Sequence, residues 1–251
     1  MPEQAISKFE TLPFLMECFG PDVICSFSNR LSGNMSIRYA DRETSIANRK
    51  FFLEKLGIDL KDLVCAKQVH SNNVTYAKLD DRGRGAYVYK EAINDTDAFI
   101  TNEKNLPLAV FTADCLSIFL FDPKLKAIGL VHAGWRSIKE NIAVAAIRKM
   151  KESFGTDASD IYAAFGPCIR SCCYEIGREL KEFFCKDIIE KDGRFYLDLI
   201  NANKRQLLSA GVQGSTIFDC GICTSCHNDE YFSYRKQGND CGRIISVIML
   251  K

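Results

Sequence analysis

Short apolar runs, each bounded by turn-forming residues, constrain the fold of this chain more than any other feature. They occupy residues 108–112, 116–121, 127–131, 161–165 and 244–250. Runs of this length are typical of buried β-strands. Asp122-Pro123 and Gly166-Pro167 supply turn signals between them. The sequence therefore predicts a core built from several buried strands, with a further strand over residues 63–69.

Helical patterns lie between these runs. Residues 41–56 predict a helix that ends at Gly57, and residues 197–210 predict another that ends at Gly211. A third helix is predicted over residues 175–184. Ser137 and Glu140 have the spacing of a capping box, which would open a fourth helix. Strands with interspersed helices predict an α/β (α+β) fold, a layered sandwich of mixed β-sheet and helices.

Composition sets the size and class of the protein. The chain has 251 residues, of which 47% are hydrophobic, so it can bury a large core. It shows no repeat and no Pro/Gly/Ser-rich linker, so we predict a single domain over residues 1–251. Lys and Arg total 33 against 32 Asp and Glu, and the net charge of +1 gives no reason to expect a nucleic-acid partner.

Several features indicate a cytoplasmic protein with no membrane partner. The longest apolar segment, residues 106–121, is interrupted by Pro107 and Asp114, whereas a membrane helix needs roughly 18 apolar residues. Residues 1–10 lack the apolar core of a signal peptide. The cytosol keeps thiols reduced, so we interpret most of the 12 cysteines as buried apolar residues or metal ligands.

His70, Cys115 and His132 stand at the ends of predicted strands. The chain has 3 histidines, so imidazole chemistry must come from these two or from His227. Two histidines and a cysteine form a three-ligand set, which leaves a fourth position open as in catalytic zinc sites. The spacing alone equally allows two core histidines and a buried cysteine, because ligands so far apart in sequence make no local motif.

The segment from Cys220 to His227 carries a second set of candidate ligands. Cys223, Cys226 and His227 fit the c-type haem attachment pattern, but haem attachment would require export. Cys220, Cys223, Cys226 and either His227 or Cys241 could instead hold a structural zinc ion. Packing without a metal is the interpretation we favour, also for Cys168, Cys172 and Cys173.

A series of short motifs runs from about Lys67 to the C-terminus. The motifs are Lys67-Gln68-Val69-His70-Ser71, Thr96-Asp97-Ala98, Thr112-Ala113-Asp114-Cys115-Leu116, His132-Ala133-Gly134-Trp135-Arg136, Gly166-Pro167-Cys168-Ile169, Cys172-Cys173-Tyr174-Glu175-Ile176-Gly177, Phe232-Ser233-Tyr234-Arg235 and Gly242-Arg243. This series resembles one known family, the laccase-domain family, also called multicopper polyphenol oxidoreductase or peptidoglycan-editing factor.

The resemblance implies that His70, Cys115 and His132 bind a metal, zinc or else copper. It also implies a sandwich-like fold related to the catalytic domain of a bacterial cytotoxic necrotizing factor. Family members include purine nucleoside phosphorylases, so purine nucleosides and phosphate are the expected partners. The implied reactions are phosphorolysis of adenosine, inosine and methylthioadenosine, and deamination of adenosine. Deamination suits a metal, because a metal lowers the pKa of bound water.

The chain departs from the family pattern at three places. Residues 28–34 match an Arg- and Gly-rich stretch only in part, which puts a role for Arg30 in doubt. Ser137 replaces the usual glycine, and Cys241 stands where threonine is common.

Arg136 is the candidate phosphate-binding residue. It follows His132 by four positions and precedes a predicted helix start, where an anion would be well placed. A packing role for Arg136 is the alternative. Arg235 and Arg243 are further phosphate candidates, and for Asp114 we favour a structural role.

Two other functions remain open at this point. A copper-dependent polyphenol oxidase would suit the family's older name, but 3 histidines cannot build a three-copper cluster. A cysteine amide hydrolase that edits peptidoglycan precursors would use Cys115 as nucleophile and His132 as base.

Overall fold

A computed structural model describes residues 12–251, so the prediction made for residues 1–10 lies outside the described residues. The helices are α1 (Leu12–Phe19), α2 (Arg42–Glu54), α3 (Trp135–Lys139), α4 (Ile142–Phe154), α5 (Leu199–Ser209) and α6 (Tyr234–Gln237). The strands are β1 (Val23–Phe27), β2 (Val64–Cys65), β3 (Val74–Tyr76), β4 (Ala98–Thr101), β5 (Leu108–Thr112), β6 (Leu116–Asp122), β7 (Ala127–Ala133), β8 (Tyr162–Phe165), β9 (Glu175–Ile176), β10 (Ile188–Lys191), β11 (Arg194–Leu197), β12 (Ile217–Asp219) and β13 (Ile244–Leu250).

The strands form two large sheets and one small sheet. The larger has 6 strands in the order β12-β8-β6-β7-β4-β3, and the second has 4 strands in the order β1-β13-β5-β2. Both sheets mix parallel and antiparallel pairs: β6 is antiparallel to β7, while β2 is parallel to β5. The small sheet has 3 strands in the order β10-β11-β9 and shares no strand with the two large sheets.

Alternating side chains on the central strands pack the two large sheets against each other. On β6, Leu116, Ile118 and Leu120 belong to the core shared with α4 and α5, whereas Phe119 and Phe121 belong to the core between the sheets. On β13, Ile244, Ile248 and Leu250 belong to the core between the sheets. The alternate residues Ile245, Val247 and Met249 face the opposite side and pack with α2. The layers are therefore α2, the four-stranded sheet, the six-stranded sheet, and α4 with α5, which confirms the predicted mixed sandwich.

Turn and capping chemistry fixes the ends of the correctly predicted helices. The Asp41 side chain accepts a hydrogen bond from the Thr44 N–H at 2.7 Å and begins α2. Gly57 has a φ of 70°, a conformation that glycine adopts without steric cost. Asp198 caps α5 through the Asn201 N–H at 2.9 Å.

Three predicted elements differ in the structure. Residues 175–184 are not a helix: Glu175 and Ile176 pair with β11, and a 3₁₀ turn follows. Ser137 is not a cap, because α3 already begins after Gly134 and a left-handed Asn141 separates it from α4. The strand predicted over residues 63–69 is shorter in the structure, where it consists of β2 alone. Ala66 forms a single isolated bridge with Ile93, and the chain then turns toward His70.

No helix within residues 12–251 has the length and apolar character needed to cross a membrane. The single-domain organisation stays a prediction, as does the likeness to a necrotizing factor domain.

Candidate active site

Three separate segments bring His70, Cys115 and His132 together at one end of the central strands. His70 lies in the loop after β2, Cys115 in the turn between β5 and β6, and His132 near the end of β7. Their ligand atoms all lie within 4.8 Å of one another. The backbone turns sharply at two of these places: His70 has a φ of 62°, and Asp114, which precedes Cys115, has a φ of 82°.

Asp97 orders the two histidine segments. One of its carboxylate oxygens lies 2.8 Å from His132 Nδ1 and accepts the His70 backbone N–H at 3.0 Å. The other accepts the N–H groups of Val69 and Ser71 at 3.2 and 2.8 Å, and the Ser71 hydroxyl at 2.9 Å. Asp97 thereby holds the His70 loop in its strained turn and sets the orientation of the His132 ring.

The donor set fits a tetrahedral metal ion. Because His132 Nδ1 donates to Asp97, its Nε2 remains as the ligand atom. His70 Nε2 and Cys115 Sγ are 3.8 Å apart. Zinc bonds of ordinary length in a tetrahedral arrangement would separate such a nitrogen and sulfur by about 3.6 Å. A Cβ added at Gly134 would lie 2.7 Å from His70 Cδ2 and 3.0 Å from Cys115 Sγ, so the cluster requires glycine there.

The electrostatics favour the metal-ligating form of the cysteine. Burial raises the pKa of the Cys115 thiol, but hydrogen bonds and charge interactions with His132 and His70 outweigh it and bring the pKa to about 6. Burial lowers the pKa of His132, yet its hydrogen bonds with Asp97 and Cys115 bring the value to about 9. Burial likewise raises the pKa of Asp97, while its bond with His132 lowers it to about 2. The thiolate is the form of cysteine that binds metals.

A pocket of about 540 Å³ opens from the three candidate ligands. This volume suits a small organic ligand. Its lining combines arginines with aromatic rings, namely Arg38, Arg49, Arg136, Arg235 and Arg243 together with Tyr39, Tyr89, Phe111, Trp135, Tyr174 and Tyr234. Such a wall can bind an anion and stack against a planar heterocycle at the same time.

The predicted phosphate candidates all line this pocket, but they differ in their contacts. Arg136 is exposed and lies 4.4 Å above the Trp135 ring, and no carboxylate within residues 12–251 pairs with it. Arg235 donates to the backbone oxygens of Cys173 and Glu175. Arg243 donates to the Cys241 carbonyl at 2.5 Å and stacks on Tyr39. Of these three candidates, Arg136 therefore has the least competition for an anion.

Asp114 has the structural role that the sequence favoured. Its two carboxylate oxygens accept hydrogen bonds from the Thr224 hydroxyl and from the Arg235 backbone N–H, each at 2.6 Å. Its backbone oxygen accepts the Ile169 N–H at 2.9 Å. These bonds tie the Cys115 turn to three other loops.

The structure groups the second set of candidate ligands differently from the sequence prediction. Cys223 and Cys226 lie with Cys172 and Cys173, two residues that sequence reasoning placed in core and loop. Cys168 is fully buried in the core, as expected. Among residues 12–251, the clusters able to hold a metal do not include the other predicted members, Cys220, His227 and Cys241.

Sequence reasoning quoted Asp97 only within a family motif, and it gave no role to Asp97 or to the aromatic residues of the pocket. Asp97 was visible as an acidic residue just before an apolar strand, a position where a carboxylate is buried and needs partners. Tyr174 was visible only as part of a family motif, and Tyr39 carries no local signal, because the pocket joins loops that are distant in sequence.

Comparison with known proteins shows similarity to one family over most of the chain. Residues 25–251 match the family model described as multi-copper polyphenol oxidoreductase laccase. The purine nucleoside phosphorylase YlmD of Bacillus subtilis is 30% identical over 248 residues, with 92% of this chain and 89% of that protein covered. The adenosine deaminase RL5 of an unknown prokaryotic organism is 33% identical, with 87% and 84% covered.

A solved structure shares the fold. The crystal structure of YlmD from Geobacillus stearothermophilus superposes with a TM-score of 0.89 at 30% identity and covers 93% of each chain. A match over nearly the whole described chain, in sequence and in structure, is more than a shared architecture. The chain belongs to the multi-copper polyphenol oxidoreductase laccase family.

Proposed function

We propose that this protein is a cytoplasmic purine nucleoside phosphorylase that acts on adenosine, inosine and methylthioadenosine and also deaminates adenosine. The observation that carries the proposal is the pocket of arginines and aromatic rings that opens from His70, Cys115 and His132. The names of the relatives, purine nucleoside phosphorylase and adenosine deaminase, support the same substrate class.

Phosphorolysis requires an anion beside the ribose and a place for the purine. A phosphate oxygen attacks the anomeric carbon as the bond from that carbon to N9 breaks, and the purine leaves with the bonding electron pair and takes up a proton. In our proposal Arg136 binds the phosphate, because its guanidinium faces the pocket without a competing carboxylate. The rings of Tyr39, Trp135 and Tyr174 are available to stack on the purine.

Three side chains of this site would hold the metal, for which we propose zinc, with copper as the alternative. His70 and His132 would supply nitrogen and Cys115 would supply sulfur. When bound, the metal supplies Lewis acidity, which suits the attack of water on C6 of adenosine during deamination. Asp97 keeps His132 in the tautomer that can ligate and does not itself line the pocket.

The test is base release from inosine and adenosine with and without inorganic phosphate. We expect hypoxanthine and adenine to form only with phosphate, while adenosine deamination continues without it. Arg136→Ala removes a charge-assisted anion contact of about 1.5–3 kcal/mol, so kcat/KM for phosphorolysis should fall roughly ten- to hundredfold. Arg148→Ala is the matched control, because Arg148 lies on the exposed face of α4 and forms an exposed ion pair with Glu152.

Base release at an undiminished rate without phosphate would make the protein a nucleoside hydrolase and would overturn the phosphorylase proposal. An Arg136→Ala variant that uses phosphate as well as the Arg148→Ala control would remove Arg136 from the phosphate site.

One observation favours a second candidate, the cysteine amide hydrolase. Asp97, His132 and Cys115 form a chain of contacts like a Cys-His-Asp triad, and the pKa of Cys115 lies at about 6. His70 separates the two functions, because a metal site needs it and a triad does not. His70→Ala should abolish nucleoside turnover and metal binding at the His70–Cys115–His132 site, whereas His227→Gln, the control at an exposed histidine, should change neither. Amide turnover that survives in His70→Ala would support the hydrolase.

A further inference from the structure

Four cysteines lie together in a cluster separate from the candidate active site. They are Cys172, Cys173, Cys223 and Cys226, and their sulfur atoms all lie within 4.8 Å of one another. Cys226 Sγ is 3.5 Å from Cys172 Sγ and 3.4 Å from Cys173 Sγ. All four are free thiols in the structure.

These distances are those of a tetrahedral thiolate site. Four Zn–S bonds of ordinary length place their sulfurs about 3.8 Å apart at the edges of a tetrahedron. Cys223 and Cys226 have the Cys-x-x-Cys spacing that is typical of zinc sites, and Cys172 and Cys173 add the second pair. A disulfide between Cys226 and either neighbour would use only two of the four sulfurs and would leave the other pair without a role.

The backbone supports one sulfur of the cluster directly. Backbone N–H groups of Cys226 and Arg170 donate to the Cys223 sulfur. The two segments are held side by side, since the Thr224 N–H donates to the Cys168 carbonyl at 3.0 Å. Hydrogen bonds to sulfur and a fixed loop pair are the supporting contacts that a metal site requires.

We propose that Cys172, Cys173, Cys223 and Cys226 bind a structural zinc ion, separate from the metal at His70, Cys115 and His132. Four protein ligands leave no open position, so this site holds structure and does not bind substrate. The proposal does not depend on the phosphorylase function.

The location of the cluster indicates what the zinc stabilises. Cys173 directly precedes Tyr174, a pocket residue, and the segment around them has little regular structure. Arg235, another pocket residue, donates to the carbonyls of Cys173 and Glu175 at 3.4 and 2.8 Å. The zinc therefore fixes the loop that carries Tyr174 and receives Arg235, and it rigidifies one wall of the pocket.

The test is zinc content after purification without chelators. The wild-type protein should carry about two zinc ions per chain, and Cys172→Ser/Cys226→Ser should carry about one. Both substituted side chains are exposed, so the change does not open a cavity. Cys185→Ser is the matched control at an exposed cysteine outside both clusters and should keep both ions.

A second measurement examines the site without altering it. In Cys115→Ala the four-cysteine zinc should remain, and X-ray absorption should show four sulfur neighbours at about 2.3 Å and no nitrogen. Failure of the nucleoside assays would leave this result unchanged, so the two proposals fail separately.

Two results would overturn the proposal. One is an unchanged zinc content in Cys172→Ser/Cys226→Ser. The other is metal-free Cys115→Ala protein whose four cysteines react as free thiols or form a disulfide.

Discussion

The buried carboxylate of Asp97 gives the sharpest test of how the candidate metal site is built. Asp97→Asn keeps the size of the side chain but replaces one hydrogen-bond acceptor with a donor. If the new amide nitrogen replaces the oxygen facing His132, it meets the N–H groups of His132 and His70. If it replaces the other oxygen, it meets the N–H groups of Val69 and Ser71. Either orientation leaves two backbone or ring donors without an acceptor.

The magnitude follows from these contacts. Each hydrogen bond to a charged group contributes about 1.5–3 kcal/mol, so the loss of two should lower the free energy of unfolding by about 3–6 kcal/mol. The upper end approaches the whole stability of a small domain, typically about 5–15 kcal/mol. The orientation that frees His132 also allows its other tautomer, in which Nε2 carries the proton and cannot ligate. Removal of such a supporting partner typically costs roughly 10–100-fold in metal affinity.

The assay is a zinc competition titration against a chelator of known affinity, together with urea unfolding. Asp95→Asn is the control, because Asp95 is exposed two residues away and sits at a positive φ of 44°, which asparagine tolerates. The titration must resolve the active-site ion from the four-cysteine ion, so it is done in the Cys172→Ser/Cys226→Ser background. Equal zinc affinity in Asp97→Asn and Asp95→Asn would refute the role assigned to Asp97.

Two further changes test the packing around the sites. Gly134→Ala places a methyl group 2.7 Å from His70 Cδ2, so zinc affinity and nucleoside turnover should both fall, whereas Gly214→Ala, with its nearest atom at 3.6 Å, should change neither; equal affinities in the two variants would contradict the close approach. Thr224→Val removes the buried hydroxyl that donates to Asp114 at 2.6 Å, and the free energy of unfolding measured in urea should fall by about 1–3 kcal/mol. No change in the urea midpoint would show that this bond contributes nothing.

The sequence predicted the core strands well because their signal is local. The run 244–250 became β13 without change, and the runs at 108–112 and 127–131 became β5 and most of β7. Residues 175–184 were predicted wrongly because Glu175 and Ile176 pair with β11, a partner that local periodicity cannot reveal. Ser137 failed as a cap for a similar reason: the helix start is set by the tight exit from β7 at Gly134.

The candidate site was predictable to the extent that chemistry coincides with strand ends. His70, Cys115 and His132 follow or interrupt apolar runs, and the fold brings those ends together. The pairing of Cys172 and Cys173 with Cys223 and Cys226 could not be predicted, because about fifty residues separate the two pairs and no local pattern joins them. Long-range packing of the 168–176 loop against the 220–227 loop decides that grouping.

Asp114 links the two clusters of candidate ligands through short contacts. It precedes Cys115, accepts from the Thr224 hydroxyl, and accepts from the Arg235 N–H. Thr224 follows Cys223 directly, and the Arg235 guanidinium donates a hydrogen bond to the Cys173 carbonyl. These contacts form one connected network, and residues that share such a network show coupling energies of about 0.5–3 kcal/mol. Order imposed by zinc at the four cysteines should therefore be transmitted to the turn that presents Cys115, even though that zinc touches no substrate.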